Sequence, residues 1–287
     1  MISWKLITTN NSISFMNTLY LIGGLLFTFA SQAFAEKRTV IEPAIMECQY
    51  DHTAVRDTLD RSQVMKDQMI LRIGKNVSQF YSWYTLQGDS MWTDLTGRKI
   101  AIDKTLESIR TRNNDNLICK RTNGYIYKSY PQKGIITTYI TQGGEDMKTP
   151  IVYLYFSEET PRQAWEMQDS TKQVLGYTCQ LATTRFRGRL WYAWFTPDIP
   201  IDNGPWKLGG LPGLIVEAYD SQDYYHYTLT GIQTQNLQPV TFYNYWEKVF
   251  EKTTRLDYLR KDRQSKDKAA DKLKYTRYDF LELDYHQ

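Results

Sequence analysis

The segment 191–220 constrains the fold most, because two apolar strand patterns are joined there by a loop rich in proline and glycine. Residues 190–196 alternate between two faces, which is the period of a β-strand. Residues 214–219 form a second, mostly apolar strand pattern. Pro197 and Pro200 end the first ladder, since proline donates no backbone N–H. The pattern predicts two strands joined by a long, rigid loop.

Similar strand patterns recur along the chain with short turns between them, which favours an antiparallel sheet over parallel βαβ units. Asp103 is a suitable N-cap, so we expect a short helix near 103–112. A long C-terminal helix is expected at about 246–274, where charges of both signs alternate. The sequence therefore predicts a mainly β fold. We expect a single-domain curved antiparallel sheet or open half-barrel with these two helices.

The loop also carries a family resemblance. Residues 210–215 spell GLPGLI, and residues 194–200 (WFTPDIP) and 204–208 (GPWKL) precede it. With the segments at 177–182 and 57–82, these motifs resemble the GLPGLI family of secreted Gram-negative proteins over about residues 40–245. The resemblance implies export and a β-rich fold, and it implies no particular activity.

The first 35 residues are typical of a signal peptide. Lys5 is the only charge before Glu36, the stretch 19–30 is apolar, and Ala33-Phe34-Ala35 fits a small-x-small cleavage site. The apolar run is short for a membrane span, so we favour a cleaved leader over a transmembrane anchor. Met16 is an alternative start. We expect an exported protein of the periplasm, the outer-membrane surface or the medium.

Cleavage would leave residues 36–287 as one β-rich domain of 252 residues with 34 basic and 32 acidic side chains. This net charge of +2 argues against nucleic acid and against an anionic membrane surface as partners. Aromatic residues make up 14% of the chain and include 22 tyrosines. Such rings suit strands and binding surfaces.

The three cysteines allow one disulfide in an oxidising compartment. We expect Cys48 to pair with Cys119, and Cys179 to be a buried apolar residue. A thiol nucleophile formed by Cys179 and His226 is an alternative, but an apolar strand would raise the thiol pKa. The sequence shows no metal-ligand spacing and no phosphate-binding loop, and we expect no cofactor.

Two carboxylates open an enzymatic alternative. Asp198 lies between two prolines and Glu217 lies in an apolar strand, so a raised pKa would suit a general acid. Alternation along the strand also explains Glu217 as an outward residue that pairs with Lys207 or Arg189. An envelope hydrolase that uses Asp198 and Glu217 is therefore the second hypothesis.

A binding surface is the first hypothesis. The aromatic residues 191, 192, 194, 206, 219, 224 and 225 fit a surface for an apolar ligand, a sugar or an extended peptide, although core packing with scattered surface rings is the simpler explanation. The candidate groove and loop residues are Trp191, Trp194, Pro197, Pro200, Trp206, Lys207, Gly210, Leu211, Pro212, Gly213 and Glu217.

We therefore predict a non-catalytic binding module for a hydrophobic ligand, a peptide or an outer-membrane partner. A third hypothesis is a structural or assembly factor at the outer membrane, which predicts a large exposed apolar patch. Asp57-Thr58-Leu59 also resembles an O-glycan site of some exported Gram-negative proteins, with Thr58 as the acceptor.

Overall fold

A computed structural model describes residues 39–55, 57–91, 95–112, 120–142, 151–242, 249–273 and 280–286. The strands in these ranges are β1 (Thr39–Glu42), β2 (Ala44–Val55), β3 (Val64–Gly74), β4 (Ser78–Ser82), β5 (Tyr125–Lys128), β6 (Ile135–Gln142), β7 (Val152–Glu159), β8 (Glu166–Val174), β9 (Tyr177–Phe186), β10 (Arg189–Thr196), β11 (Leu214–Asp220), β12 (Tyr225–Gln233), β13 (Val240–Phe242) and β14 (Glu251–Lys252). The helices are α1 (Trp83–Met91), α2 (Leu95–Thr111) and α3 (Arg255–Leu273), followed by a 3₁₀ turn at Asp284–His286.

Within the described ranges, twelve strands form one open sheet in the order β14-β7-β6-β5-β4-β3-β2-β12-β11-β10-β9-β8. Neighbouring strands are antiparallel, except that the two-residue β14 runs parallel to β7. A separate pair, β1 and β13, forms a small antiparallel sheet. The predicted mainly β fold, a curved antiparallel sheet that stays open, is confirmed.

The inner face of the sheet holds the main core. Trp191, Ala193 and Phe195 of β10 share one face, as their alternation predicted, and all three are buried in this core. The loop between β10 and β11 lies over this face and contributes Trp206 and Leu208 to the same core. The loop therefore acts as the second layer that an amphipathic sheet needs.

The outer face is covered over β3–β5. Ile70, Tyr81 and Tyr127 lie there and are buried with Leu86 of α1 and Val240 of β13. The small β1–β13 sheet and α1 therefore cover this half of the outer face. The half formed by β10–β12 carries half-buried side chains and is described below.

Both helices differ from their predicted bounds. Helix α2 begins at Leu95 and not near 103, so Asp103 lies inside the helix and is not its N-cap. Helix α3 begins at Arg255 and not at 246, because Glu251 and Lys252 pair with β7. The Asp257 backbone N–H donates to the Thr254 hydroxyl at 3.1 Å, so Thr254 is the N-cap of α3.

Residues 1–38 and Cys119 lie outside the described residues. The signal peptide and the Cys48–Cys119 disulfide therefore stay predictions. Cys48 is buried and bonds to no other described cysteine, and burial raises the pKa of its thiol to about 12. None of the described helices is long and apolar enough to cross a membrane.

Candidate functional site

The loop 197–213 reaches the core by a path that two glycines permit. A Cβ on Gly213 would lie 2.1 Å from the carbonyl oxygen of Thr196, and a Cβ on Gly204 would lie 2.8 Å from Ile215. Any larger residue would separate the loop from the strands it crosses. Close packing against Thr196 therefore explains Gly213 of the GLPGLI motif.

Lys128 of β5 anchors the loop from the opposite side. Its ammonium donates to Asn203 Oδ1 at 2.9 Å, to the Gly204 carbonyl at 2.9 Å and to the Leu208 carbonyl at 2.6 Å. Burial lowers the pKa of Lys128 to about 7, and the nearby Asp202 opposes this shift. All three ammonium hydrogens are engaged, so Lys128 holds the loop in place.

A buried ionic cluster fixes the loop further. Lys207 is buried, and its Nζ lies 2.6 Å from both Glu158 and Glu282. Arg187 and Arg255 pair with the same two glutamates and with Asp284; together these residues, 158, 187, 207, 255, 282 and 284, form the ionic cluster. The cluster joins the loop to β7, to the β9–β10 turn, to α3 and to the C-terminal segment.

A polar cavity of about 790 Å³ opens beside the loop. Its walls come from residues 200–203 and 207–210 of the loop, from residues 73–78, and from residues 160–163. Lys128 and Asn203 contribute polar side chains to the lining, and none of the described residues that line it is aromatic. The cavity is therefore unsuited to the hydrophobic ligand that the sequence suggested.

The outer face of β10–β12 and Lys172 of the edge strand β8 together carry a different constellation, which we call the ring face: Lys172, Tyr192, Trp194, Glu217, Tyr219 and His226. Register places Tyr192 opposite Tyr219, and Tyr219 opposite His226. The two tyrosine rings stack with centroids 5.4 Å apart and planes 7° apart. The ring face is half-buried, so its rings remain partly open to solvent.

Charged groups frame these rings. Glu217 accepts hydrogen bonds from Lys172 and from His226, the latter at 3.0 Å. The other imidazole nitrogen of His226 lies 2.9 Å from Asp223. The Lys172 ammonium also lies 4.5 Å from the centre of the Trp194 ring. Each polar group is therefore held in place beside an aromatic ring.

The contacts set the charges of the ring face. Burial favours a higher pKa for Glu217, but the hydrogen bonds from His226 and Lys172 outweigh it and lower the pKa. The hydrogen bond to Glu217 raises the pKa of His226 against the effect of burial, and Asp223 adds to the rise. Glu217 is therefore a fixed anion, whereas a general acid needs a raised pKa.

A second cavity, of about 530 Å³, adjoins the ring face at Tyr192. Glu166, Gln168, Thr183 and Arg185 line it with polar groups. Thr183 lies opposite Tyr192 in the register, so the cavity continues the same surface toward the β8 edge. An extended polar ligand on the rings would reach this cavity.

The predicted site residues do not form one groove. Trp191, Trp206, Leu211 and Gly213 are buried in the packing of the loop. Pro200, Lys207 and Gly210 line the loop cavity, and Lys207 reaches the ionic cluster as well. Trp194 and Glu217 lie on the ring face. Pro197 and Pro212 are exposed in the loop.

The expected partners of Glu217 were wrong. It pairs with Lys172 and His226, while Lys207 pairs with Glu158 and Glu282, and Arg189 pairs with Asp220 at 2.9 Å. Lys172 lies 45 residues from Glu217 in the chain, whereas His226 lies nine residues from it on the neighbouring strand β12. Sequence spacing gave no signal for them.

The catalytic alternatives find little support in the geometry. Neither Asp198 nor Glu217 lines the loop cavity. Burial raises the pKa of the Cys179 thiol, and His226 is occupied by two carboxylates. Among the described residues, no group of three or more histidine, cysteine or acidic side chains is placed to hold a metal ion. Thr58 is half-buried beside the buried Asp57, and its modification stays a prediction.

Comparison with known proteins places the chain near a different family from the one its motif suggested. A family model described as the N-terminal domain of N-glycanase peptide matches residues 137–260. The resemblance to the GLPGLI family is therefore corrected: the hexapeptide is present, but the match is to this domain. The matched segment contains the loop, β8–β13 and the ring face.

Two solved structures are similar, titled "Structure of PNGF-II in P21 space group" and "Structure of PNGF-II in C2 space group". Both share 12% identity over 77% of this chain, with TM-scores of 0.48 and 0.45. The matched region spans about a third of their length, 33% in each case. No curated protein matches the sequence.

Proposed function

We propose that this protein is a non-catalytic carbohydrate-binding module and that the ring face is its sugar site. The observation that carries the proposal is the stacked pair Tyr192–Tyr219 beside Trp194, with Glu217 fixed between Lys172 and His226. Sugars present apolar C–H faces and a rim of hydroxyls. Aromatic rings match the first, and charged hydrogen-bonding groups match the second.

The fixed geometry of the polar groups supports this function. A site whose side chains already hold one another loses less conformational entropy when a ligand binds. The neighbouring cavity at Tyr192 adds an amide, a hydroxyl and a guanidinium along the same surface. The likeness to an N-terminal domain of N-glycanase supports a glycan as the ligand class. We propose an extended oligosaccharide that runs from the rings toward β8.

The leader-like first 35 residues support a place of action in the cell envelope or outside the cell, as part of the same proposal. Detection of the mature chain in the periplasmic, outer-membrane or secreted fraction, with its N-terminus at Glu36, would test this. A protein found only in the cytoplasm with residues 1–35 intact would contradict it.

Calorimetric titration with N-glycan-derived and neutral plant oligosaccharides tests the binding function. We expect binding by the native chain, and affinity at least about tenfold weaker in Trp194→Ala and Tyr192→Ala. Tyr153→Ala is the matched control, because Tyr153 is a half-buried tyrosine on β7, away from the ring face. Equal affinity in all four proteins, or no binding of any glycan, would refute the proposed site.

A further inference from the structure

Helix α2 displays an apolar stripe to solvent. Leu95, Ile102, Leu106 and Ile109 are 81%, 49%, 59% and 70% exposed. Their spacing of seven, four and three residues places them on one side of the helix. Ser108 is buried on a different side, where the helix meets the rest of the protein. An amphipathic helix of a soluble domain normally turns its apolar side toward the core, and α2 turns it away.

The position of α2 is fixed by its contact with α1. A Cβ on Gly97 would lie 2.1 Å from the Met91 carbonyl oxygen, so the two helices approach closely through this glycine. Trp83 at the start of α1 is also partly exposed, at 37%. The close approach holds the apolar stripe in an outward orientation.

Cations flank the stripe on both sides. On a helix of 3.6 residues per turn, Arg98 lies along one edge of the stripe, and Lys99 and Arg110 lie along the other. The two acidic residues of α2, Asp103 and Glu107, lie farther from the stripe. Long cationic side chains beside an apolar stripe place their charges at the level of lipid headgroups while the stripe enters the acyl region.

We propose that α2 is a docking helix for an anionic lipid surface, lying in the plane of the membrane interface. The charge arrangement selects this occupant: cations on both flanks complement anionic headgroups, whereas a second copy of the helix would bring like charges together along each edge. The net charge of the whole chain does not reveal this surface, because the excess of positive charge is local to α2.

Flotation of the full chain with vesicles tests the proposal. We expect the protein to float with phosphatidylcholine vesicles that contain phosphatidylglycerol, to float less with phosphatidylcholine alone, and to be released as salt is raised. The double variant Leu106→Ser/Ile109→Ser should bind at least about tenfold more weakly. Lys99→Gln/Arg110→Gln should lose the preference for phosphatidylglycerol.

Leu59→Ser is the matched control, because Leu59 is 62% exposed and lies in a turn outside α2. It should float like the native protein. Circular dichroism checks that each variant keeps its fold. Absence of flotation, or equal flotation of Leu59→Ser and the double variant, would overturn the proposal. The proposal would also be overturned if the native protein did not bind vesicles but formed a concentration-dependent dimer that the double variant could not form.

Discussion

Both halves of the outer face of the sheet carry outward tyrosines, which are buried in one half and partly exposed in the other. On β4 and β5 the outward tyrosines Tyr81 and Tyr127 are buried under α1 and the small β1–β13 sheet. On β10 and β11 the outward tyrosines Tyr192 and Tyr219 remain half-exposed and stack against each other. The comparison shows that an outward aromatic residue is core or surface according to what covers it.

The polar groups beside the tyrosines also differ between the buried half and the open half. In the covered half, the Tyr127 hydroxyl donates to the Thr241 carbonyl at 2.9 Å, and the Tyr125 hydroxyl donates to Asp89 at 2.8 Å. These bonds satisfy hydroxyls that packing has removed from water. In the open half, Glu217 and His226 bond to each other beside the rings. Both nitrogens of His226 are engaged, but the Glu217 oxygens keep lone pairs that can accept hydrogen bonds from a ligand.

Replacement of a ring in the covered half should have the largest effect. Tyr127→Ala removes a fully buried ring, and we expect it to lower the free energy of unfolding by about 4 kcal/mol. Urea denaturation measures this. Tyr127→Phe keeps the ring and loses the bond to Thr241, so it should lose about 1 kcal/mol. A loss below about 1 kcal/mol for the alanine variant would show that the covering layer is not packed as described.

The inner face is covered by the loop, and Lys207 tests that layer. Lys207→Met leaves Glu158 and Glu282 buried with less positive charge beside them, and we expect a loss of about 3 kcal/mol. Lys261→Met, an exposed site on α3, should change stability little. Adding Glu282→Gln to Lys207→Met should recover part of the loss. A double variant no more stable than Lys207→Met would argue against the ionic cluster.

A ring in the open half should matter less for stability. Tyr192→Ala removes a half-exposed cross-strand partner of Tyr219, and we expect it to lower the free energy of unfolding by about 1 kcal/mol or less. The same variant should lose oligosaccharide binding. Thermal melting and calorimetric titration on one preparation separate the two effects. A loss comparable to that of Tyr127→Ala would erase the contrast between the halves.

The smallest expected effect is the pH dependence of His226. Its pKa is raised in the folded chain, so its stabilising contribution is fully present below the unfolded value and is lost as pH rises through the folded one. We expect the native protein to exceed His226→Gln by less than about 1 kcal/mol near pH 6, and by almost nothing near about pH 9.

Urea denaturation of both proteins at the two pH values measures this difference. His52 is present in both, and burial lowers its pKa to about 4, so its titration cancels in the comparison. A difference that grows as pH rises would contradict the assigned contacts of His226.

Local patterns sufficed for much of the fold. Alternation in residues 190–196 placed Trp191 on one face of the strand and Tyr192 and Trp194 on the other, as observed. The starts of α2 and α3 were misplaced. For α3, Glu251 and Lys252 pair with β7, which is far away in sequence, and therefore do not join the helix. Only part of the candidate site could be predicted from the sequence. Strand alternation predicts which aromatic residues share the ring face, but it does not predict their charged partners.

Charge illustrates the limit of composition. The near balance of 34 basic and 32 acidic residues suggested no affinity for an anionic surface. The folded chain nevertheless places Arg98, Lys99 and Arg110 along an exposed apolar stripe. The net charge of the chain does not show where the charges lie, whereas interaction with a surface depends on the local charge.

By itself, the sequence determined which residues form strands, which side of a strand each ring takes, and that proline and glycine break the chain between β10 and β11. Only the tertiary structure decided that this loop covers the inner face of the sheet and that Lys207 is buried among acidic side chains. It also decided that one set of outward tyrosines is buried while the other stays partly exposed. The physical reason is range: backbone period and turn chemistry act over a few residues, whereas burial and charge pairing depend on segments that meet only after folding.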